Sequence, residues 1–160
     1  MKSEADIIVL SANPSLLAGS GISGAIHKAA GKELELAAKA LGPIKAGEAV
    51  LTLAFNLSAK YVVHTVCPRY IDGQRDEREL LAEAYRSALN FYDEVPNERS
   101  ISFVSMGTGV YRWPLELAAE IAIEELAQSK FEETTMCVIG ELAKETFKKI
   151  RSSKTDEDWE

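Results

Sequence analysis

Residues 16–31 read "LLAGSGISGAIHKAAG", and this stretch decides how the chain is understood. Gly19, Gly21 and Gly24 stand in the G-x-G-x-x-G spacing of a dinucleotide-binding turn and run into a helix-like segment. As a Rossmann fingerprint the spacing is misplaced. Eight residues, "SANPSLLA", separate Gly19 from the apolar run "DIIVL", whereas the fingerprint wants its first glycine almost directly after the strand. The acid that should end the second strand and take the ribose hydroxyls is also missing: Glu48 comes late and begins a strand.

The physics of the loop outlasts that label. Gly19 and Gly21 permit positive φ and let a ligand approach the main chain. Ser20 and Ser23 are able to cap the helix that follows. Successive N–H groups at the positive end of a helix form an anion site that needs no basic side chain. The bland alternative is a glycine-rich connector whose serines only cap a helix. A second segment, "MGTGVYRWP" (residues 106–114), repeats the pattern: Gly107 and Gly109 flank Thr108 between a strand-like run and a helix-like one. In a parallel α/β sheet, loops at the carboxyl ends of the strands share one rim, so two such loops suit a diphosphate.

Around these loops the pattern alternates strand and helix. "DIIVL" is continuous and β-branched, as a strand buried on both faces would be. Residues 24–41 have helical spacing, divided at Gly31 and ended by Gly42-Pro43. "EAVLTLAF" and "KYVVHTVC" read as strands joined by the turn "NLSA". A helical stripe spans residues 77–92, "SISFVSM" reads as a strand, and Pro114 suits the first turn of a helix over residues 115–128. "TMCVIG" and residues 143–150 supply a last strand and helix. The expectation is a three-layer α/β/α sandwich around a mixed, mostly parallel sheet. No linker or repeat divides the 160 residues, so one domain over residues 1–160 is expected, with an acidic tail at about residues 152–160.

Composition narrows the partners. With 46% hydrophobic and 27% charged residues the chain is expected to fold as a globule. No apolar run approaches the roughly 18 residues that span a bilayer, and "MKSEADIIVL" does not read as a signal peptide, so a cytoplasmic protein without a membrane partner is expected. The net charge of −7 disfavours nucleic acid. Cys67 and Cys137 lack zinc-ligand spacing and read as core thiols. His64, inside a strand, and His27, one turn past the glycine loop, read as structural: His64 hydrogen-bonded in the core, His27 anchoring its helix to neighbouring backbone. No metal and no cofactor are expected, and a monomer is favoured.

Together these residues resemble the macro domain family, whose modules bind ADP-ribose. "DIIVLSANPSLLAGSGISGAIHKAAGKEL" is similar to the family's D-A-I-V-N-A-A-N-S-S-L-x-G-G-G-G-V-D-G-A-I-H-x-A-A-G segment. "GEAVLTLAFNLSAKYVVHTVCP" and "GTGVYRWPLELAAEIAI" match two further stretches in the right order, and the likeness runs from residue 6 to about residue 150. The resemblance implies a sheet of about six strands between helix layers, with a ligand cleft across the strand ends. It also implies that Gly19, Ser20, Gly21 and Ile22 lie along the diphosphate in a first clamp, with Ala12 beside them. Gly107, Thr108, Gly109, Val110 and Tyr111 would form the second clamp, and Asn13 would contact the distal ribose. The implied partner is ADP-ribose or an ADP-ribosylated protein.

The departures from the family bear on chemistry. Leu10 stands where the motif has its first asparagine, and Ser23 where hydrolytic members carry an aspartate. A serine hydroxyl is neutral and cannot act as a general base without a partner. Arg112 and Trp113 replace a glycine and a tyrosine, and no stretch matches the family's G-D-I-T segment, whose aspartate recognises adenine. Asn13 and Ser23 are the candidate catalytic positions. The leading expectation is a binder of ADP-ribose or a related nucleotide diphosphate with weak or no hydrolase activity. The alternatives are an active ADP-ribosyl hydrolase and a scaffold that has lost its ligand.

Overall fold

The computed structural model describes residues 5–19, 21–104, 113–137 and 141–153. Its sheet is built from β1 (Ile7–Ser11), β2 (Ala49–Leu53), β3 (Tyr61–Thr65), β4 (Ser100–Val104) and β5 (Glu133–Cys137). The helices are α1 (Gly21–Ala30), α2 (Lys32–Leu41), α3 (Glu77–Leu89), α4 (Leu115–Leu126) and α5 (Glu141–Ser153), with a 3-10 turn at Asn90–Asp93. The strand order is β2-β3-β1-β4-β5. β1 runs parallel to both its neighbours and β4 parallel to β5, while β2 alone is antiparallel, against β3. The sheet is therefore mixed and mostly parallel, as expected, with five strands among the described residues instead of about six.

β1 lies at the centre because it can be apolar on both faces. Ile7 and Val9 point one way, into a core with Val63, Ile101 and Phe103 from the flanking strands and Leu81, Tyr85, Ala118 and Ala122 from α3 and α4. Ile8 and Leu10 point the other way, towards Val62, Ala30 and Leu34 under α1 and α2. This period-2 division of one apolar run between two cores fixes the register of the strand and makes the three layers. α5 packs on α4, with Phe147 reaching the larger core.

Of the boundaries that differ from expectation, two have a clear physical reason. α1 begins at Gly21, three residues before the apolar periodicity does, so Ser23 lies inside the first turn and is not an N-cap. β5 begins at Glu133, since pairing with Ser100 and Ile101 of β4 carries it past the apolar stretch that marked it in the sequence. Gly31, with φ of +98°, breaks α1 from α2 at the expected place. Ser20, the part of the second glycine segment up to residue 112, with Gly107 to Tyr111 and Arg112, and residues 154–160 of the acidic tail lie outside the described residues.

Candidate functional site

Because β1, β3 and β4 are parallel, their carboxyl ends share one rim, and the first glycine segment departs from its middle. The loop after β1 is tightly specified. Ala12 N–H still donates to Thr65 O (2.8 Å), extending the ladder by one residue. Leu16 then turns the chain with φ of +60° while its side chain, 1% exposed, fills the space beside Gly42 and Ala38. Burial of that leucine holds a backbone conformation that a non-glycine residue otherwise avoids.

Asn13 is the hinge pin of this turn. Its Nδ2 donates to Leu17 O (2.8 Å), its Oδ1 accepts from Leu17 N–H (3.2 Å), and its own carbonyl accepts from Leu16 N–H (2.9 Å). The amide is thus engaged with the loop's main chain. Next along, Ala18 N–H donates to the Glu35 carboxylate on α2 (2.5 Å), a loop tie that had no signal in the sequence.

Gly19 and Gly24 differ in what surrounds them. A Cβ on Gly24 would lie 2.2 Å from Gly19 O, so the third glycine is there to let the loop lie against α1. Any side chain at that position would push the loop off the helix. Gly19 is the opposite case: a Cβ there meets only Asn13 Nδ2 at 3.8 Å, and its φ is not positive. Packing of the described residues does not demand a glycine at that exposed point. Ile22 and Ser23 follow, half-buried, in the first turn of α1, which carries no acid. Leu10 is 1% exposed in the core under α1.

Beneath α1 lie the two histidines, with ring centroids 6.0 Å apart. His64 Nε2 and Thr52 Oγ1 are 3.0 Å apart, and Thr52 spends its one hydroxyl proton on Leu53 O (2.9 Å), so the imidazole N–H is the donor. Its Nδ1 has no partner among the described residues, and neither has Nδ1 of His27. Burial holds both rings in the neutral form. His64 is brought down to about 4, first by burial and then by His27, and His27 is lowered by burial against the opposing pull of Glu35. His64 is the core histidine the sequence suggested. His27, expected to anchor its helix to backbone, packs on the other ring instead.

On the far side of the rim, the loop after β3 is organised by one residue that sequence reasoning passed over. The buried Glu77 carboxylate accepts from Ile71 N–H (2.6 Å), Asp72 N–H (3.0 Å) and Arg75 N–H (2.9 Å). Those backbone donors overcome the cost of burial and hold its pKa down to about 2. The available signal was the Asp72-Gly73 turn just before a helix with acids in its first turn. Trp113, the last residue but one of the second glycine segment, donates from Nε1 to Pro68 O (2.8 Å) and packs on Tyr70, ring centroids 5.1 Å apart.

The arrangement is a three-layer sandwich with the first glycine segment at the mouth of its central strand. A model of the macro domain family matches residues 9–122. The chain belongs to the macro domain family. It is 48% identical over 124 residues to an O-acetyl-ADP-ribose deacetylase from Klebsiella pneumoniae, covering 75% of this chain and 70% of that relative. It superposes with a TM-score of 0.88 on the Oceanobacillus iheyensis macrodomain with ADP, at 33% identity over 94% of this chain and 85% of that one. The Trypanosoma brucei macrodomain in complex with ADP-ribose gives a TM-score of 0.81 at 33% identity, covering 91% of this chain and 63% of that one. Among the described residues no helix is long and apolar enough to cross a membrane.

Proposed function

We propose that the protein binds ADP-ribose, free or attached to a protein, through main-chain N–H groups, and that it hydrolyses ADP-ribose esters weakly or not at all. The observation that carries the binding half is the pairing of Gly19 with Gly24. One glycine is required by the fold, while the other leaves an exposed main-chain surface beside the N-terminus of α1. A helix N-terminus of this kind favours phosphate oxygens without any arginine. Gly19, Ser20, Gly21 and Ile22 serve as the first diphosphate clamp, with Ala12 and Asn13 shaping its floor. Gly107, Thr108, Gly109, Val110 and Tyr111 serve as the second. Related macrodomains with ADP and with ADP-ribose bound support the same ligand class.

The catalytic half follows from what the first turn of α1 lacks. Ser23 offers a neutral hydroxyl where a carboxylate would orient water, Leu10 is committed to the core, and the Asn13 amide is committed to Leu17. General acid–base help from a positioned group is typically worth about a hundredfold to ten-thousandfold in rate. The second reading, an active hydrolase, is favoured by the 48% identity to a relative named for O-acetyl-ADP-ribose deacetylation.

Calorimetric titration with ADP-ribose, paired with release of acetate from O-acetyl-ADP-ribose, separates these readings. Saturable binding with turnover little above the uncatalysed rate is expected, and Ser23→Asp should raise turnover. Gly109→Glu, which adds bulk and negative charge at the second clamp, should abolish binding while the protein still melts cooperatively. Brisk turnover by the parent would establish the hydrolase. A flat titration with intact folding would leave a scaffold that has lost its ligand.

A further inference from the structure

The two outer edges of the sheet are guarded differently. β5 carries Glu133 and Thr135 exposed along its length. β2 and the residue after it read "AVLTLA", with no charge, proline or glycine to discourage pairing. The bonds from Val66 N–H to Glu48 O (3.3 Å) and from Ala54 N–H to Lys60 O (3.2 Å) bracket the β2–β3 ladder and fix its phase. Residues 48, 50, 52 and 54 therefore turn their main-chain groups towards β3. Ala49, Leu51 and Leu53 turn theirs outward, and their N–H groups have no partner among the described residues.

That outward row is complementary to itself. A second β2 laid antiparallel, with a two-fold axis at Leu51, sets Leu51 against Leu51 and Ala49 against Leu53. Each outward N–H then meets an outward carbonyl, and the small Ala49 receives the large Leu53, which is 59% exposed. In a chain of net charge −7, two copies repel wherever acids face each other, yet residues 49–55 carry no charge at all.

The helix above the edge continues this surface. Leu34 and Ala38 point α2 into the core, and on one flank the Glu35 carboxylate takes the Ala18 N–H of the loop after β1. Since β1 lies inward of β2, the opposite flank faces past the β2 edge. By helical spacing it holds Ala37 and Ala40 between Leu36 and Leu41, with Glu33 at its start. Of the seven large hydrophobic side chains exposed among the described residues, four gather here: Leu36, Leu41, Leu53 and Phe55. A five-residue strand and one flank of a ten-residue helix bury less than the roughly 800 Å² per partner of a standard interface, so association through them is weak.

We propose that β2 is a self-association edge: two copies of the protein pair antiparallel through Ala49, Leu51 and Leu53 into one continuous sheet, with their α2 flanks side by side. The rims at which the parallel strands end then point in opposite directions, so neither first glycine segment is covered. The sequence alone favours a monomer because an outward main-chain row is invisible in it.

Sedimentation velocity from micromolar to near-millimolar concentration should show the parent passing from monomer to dimer. Leu53→Lys puts a charge on the pairing row at an exposed position and should move that transition about tenfold or more higher. A parent that stays monomeric throughout overturns the proposal, as does a variant that melts like the parent and associates as readily. Oxidation reads the register independently. In Leu51→Cys the paired residues stand about 5.5 Å apart at Cα, within disulfide range. In Leu53→Cys each thiol faces Ala49 and lies about 13 Å along the strand from its mate, out of reach. The first should cross-link and the second should not, above the background that Cys67 and Cys137 give in the parent. Cross-linking of both, of neither, or of the second alone overturns the pairing. Where Leu51→Cys does not fold, the double variant Ala49→Cys, Leu53→Cys, whose thiols face each other across the axis, takes its place.

Discussion

The two faces of the sheet are filled in different ways. Towards α3 and α4 the core is one continuous cluster that joins β1, β3 and β4 to both helices and includes Tyr85, Phe103 and Phe131. Towards α1 and α2 it is broken into two small clusters, one around Ile8, Leu10 and Leu34 and one around Ala12, Leu16 and Ala38. Between helix and sheet on that side sits a pair of buried imidazoles in place of hydrocarbon. The large core is the anchor, and the helix that follows the first glycine segment rests on the thinner side. Regions with fewer buried apolar contacts open at lower free energy.

The comparison breaks first if the faces prove equally important to stability. Phe103→Ala should cost about 3–5 kcal/mol, as a fully buried aromatic in a well-packed cluster does. Leu34→Ala, equally buried but in a small cluster beside α1, should cost about 2–3 kcal/mol, at the low end for its type. Urea melts of the two variants measure both values. A larger loss at Leu34 than at Phe103 would reverse the ranking of the faces.

Acid sharpens the comparison, because each side of the rim has its own pH window. On the α1 face, His64 has a folded pKa of about 4 against an ordinary 6.5, and His27 is also lowered. The unfolded chain takes up protons there that the folded chain refuses, so stability falls as pH drops from 6.5 to about 4. Within that window His64 alone contributes a slope of at most about 1.4 kcal/mol per pH unit. His27→Gln should flatten the profile above pH 4 by removing one refused proton and the ring that bears on His64. Stability by denaturant melting at several pH values tests this, and a parent profile flat from pH 7 to 4.5 would remove the histidines from the account.

The smallest expected effect is on the other side of the rim. Glu77 is lowered from 4.5 to about 2, so its contribution is complete above pH 4.5 and is lost as pH falls towards 2. Glu77→Gln keeps the shape and gives up the charge-assisted bonds to the turn after β3. It should lower the melting temperature by a few degrees at pH 7, and the gap to the parent should close as pH approaches 2. A gap independent of pH would mean that the carboxylate acts by packing, not by charge.

Much of the architecture was legible because it depends on near neighbours in the chain. The continuous "DIIVL" run could only be a strand covered on both faces. Gly31 and Gly42-Pro43 punctuate the helices where the structure ends them, since a positive φ or a missing N–H acts locally. The start of β5 was not legible, because Glu133 and Thr134 become strand by pairing with β4 and not by their own preference. The glycine spacing was legible, but not the division of labour within it. That Gly24 answers to Gly19 O, and Gly19 to no contact in the fold, is a matter of how the loop lies on the helix.

By itself the sequence determined the alternation of strand and helix, the family, and the two glycine segments, since these follow from apolar period and from residues with unusual backbone freedom. Tertiary structure decided what side chains do once distant parts of the chain meet. Asn13 turned inward to Leu17, Glu35 took the N–H of Ala18, His27 met His64 from another strand, and Trp113 found the carbonyl of Pro68. The reason is the range of the forces involved. Periodicity and φ are fixed within a few residues, whereas a buried polar group must find its partner wherever packing happens to bring one.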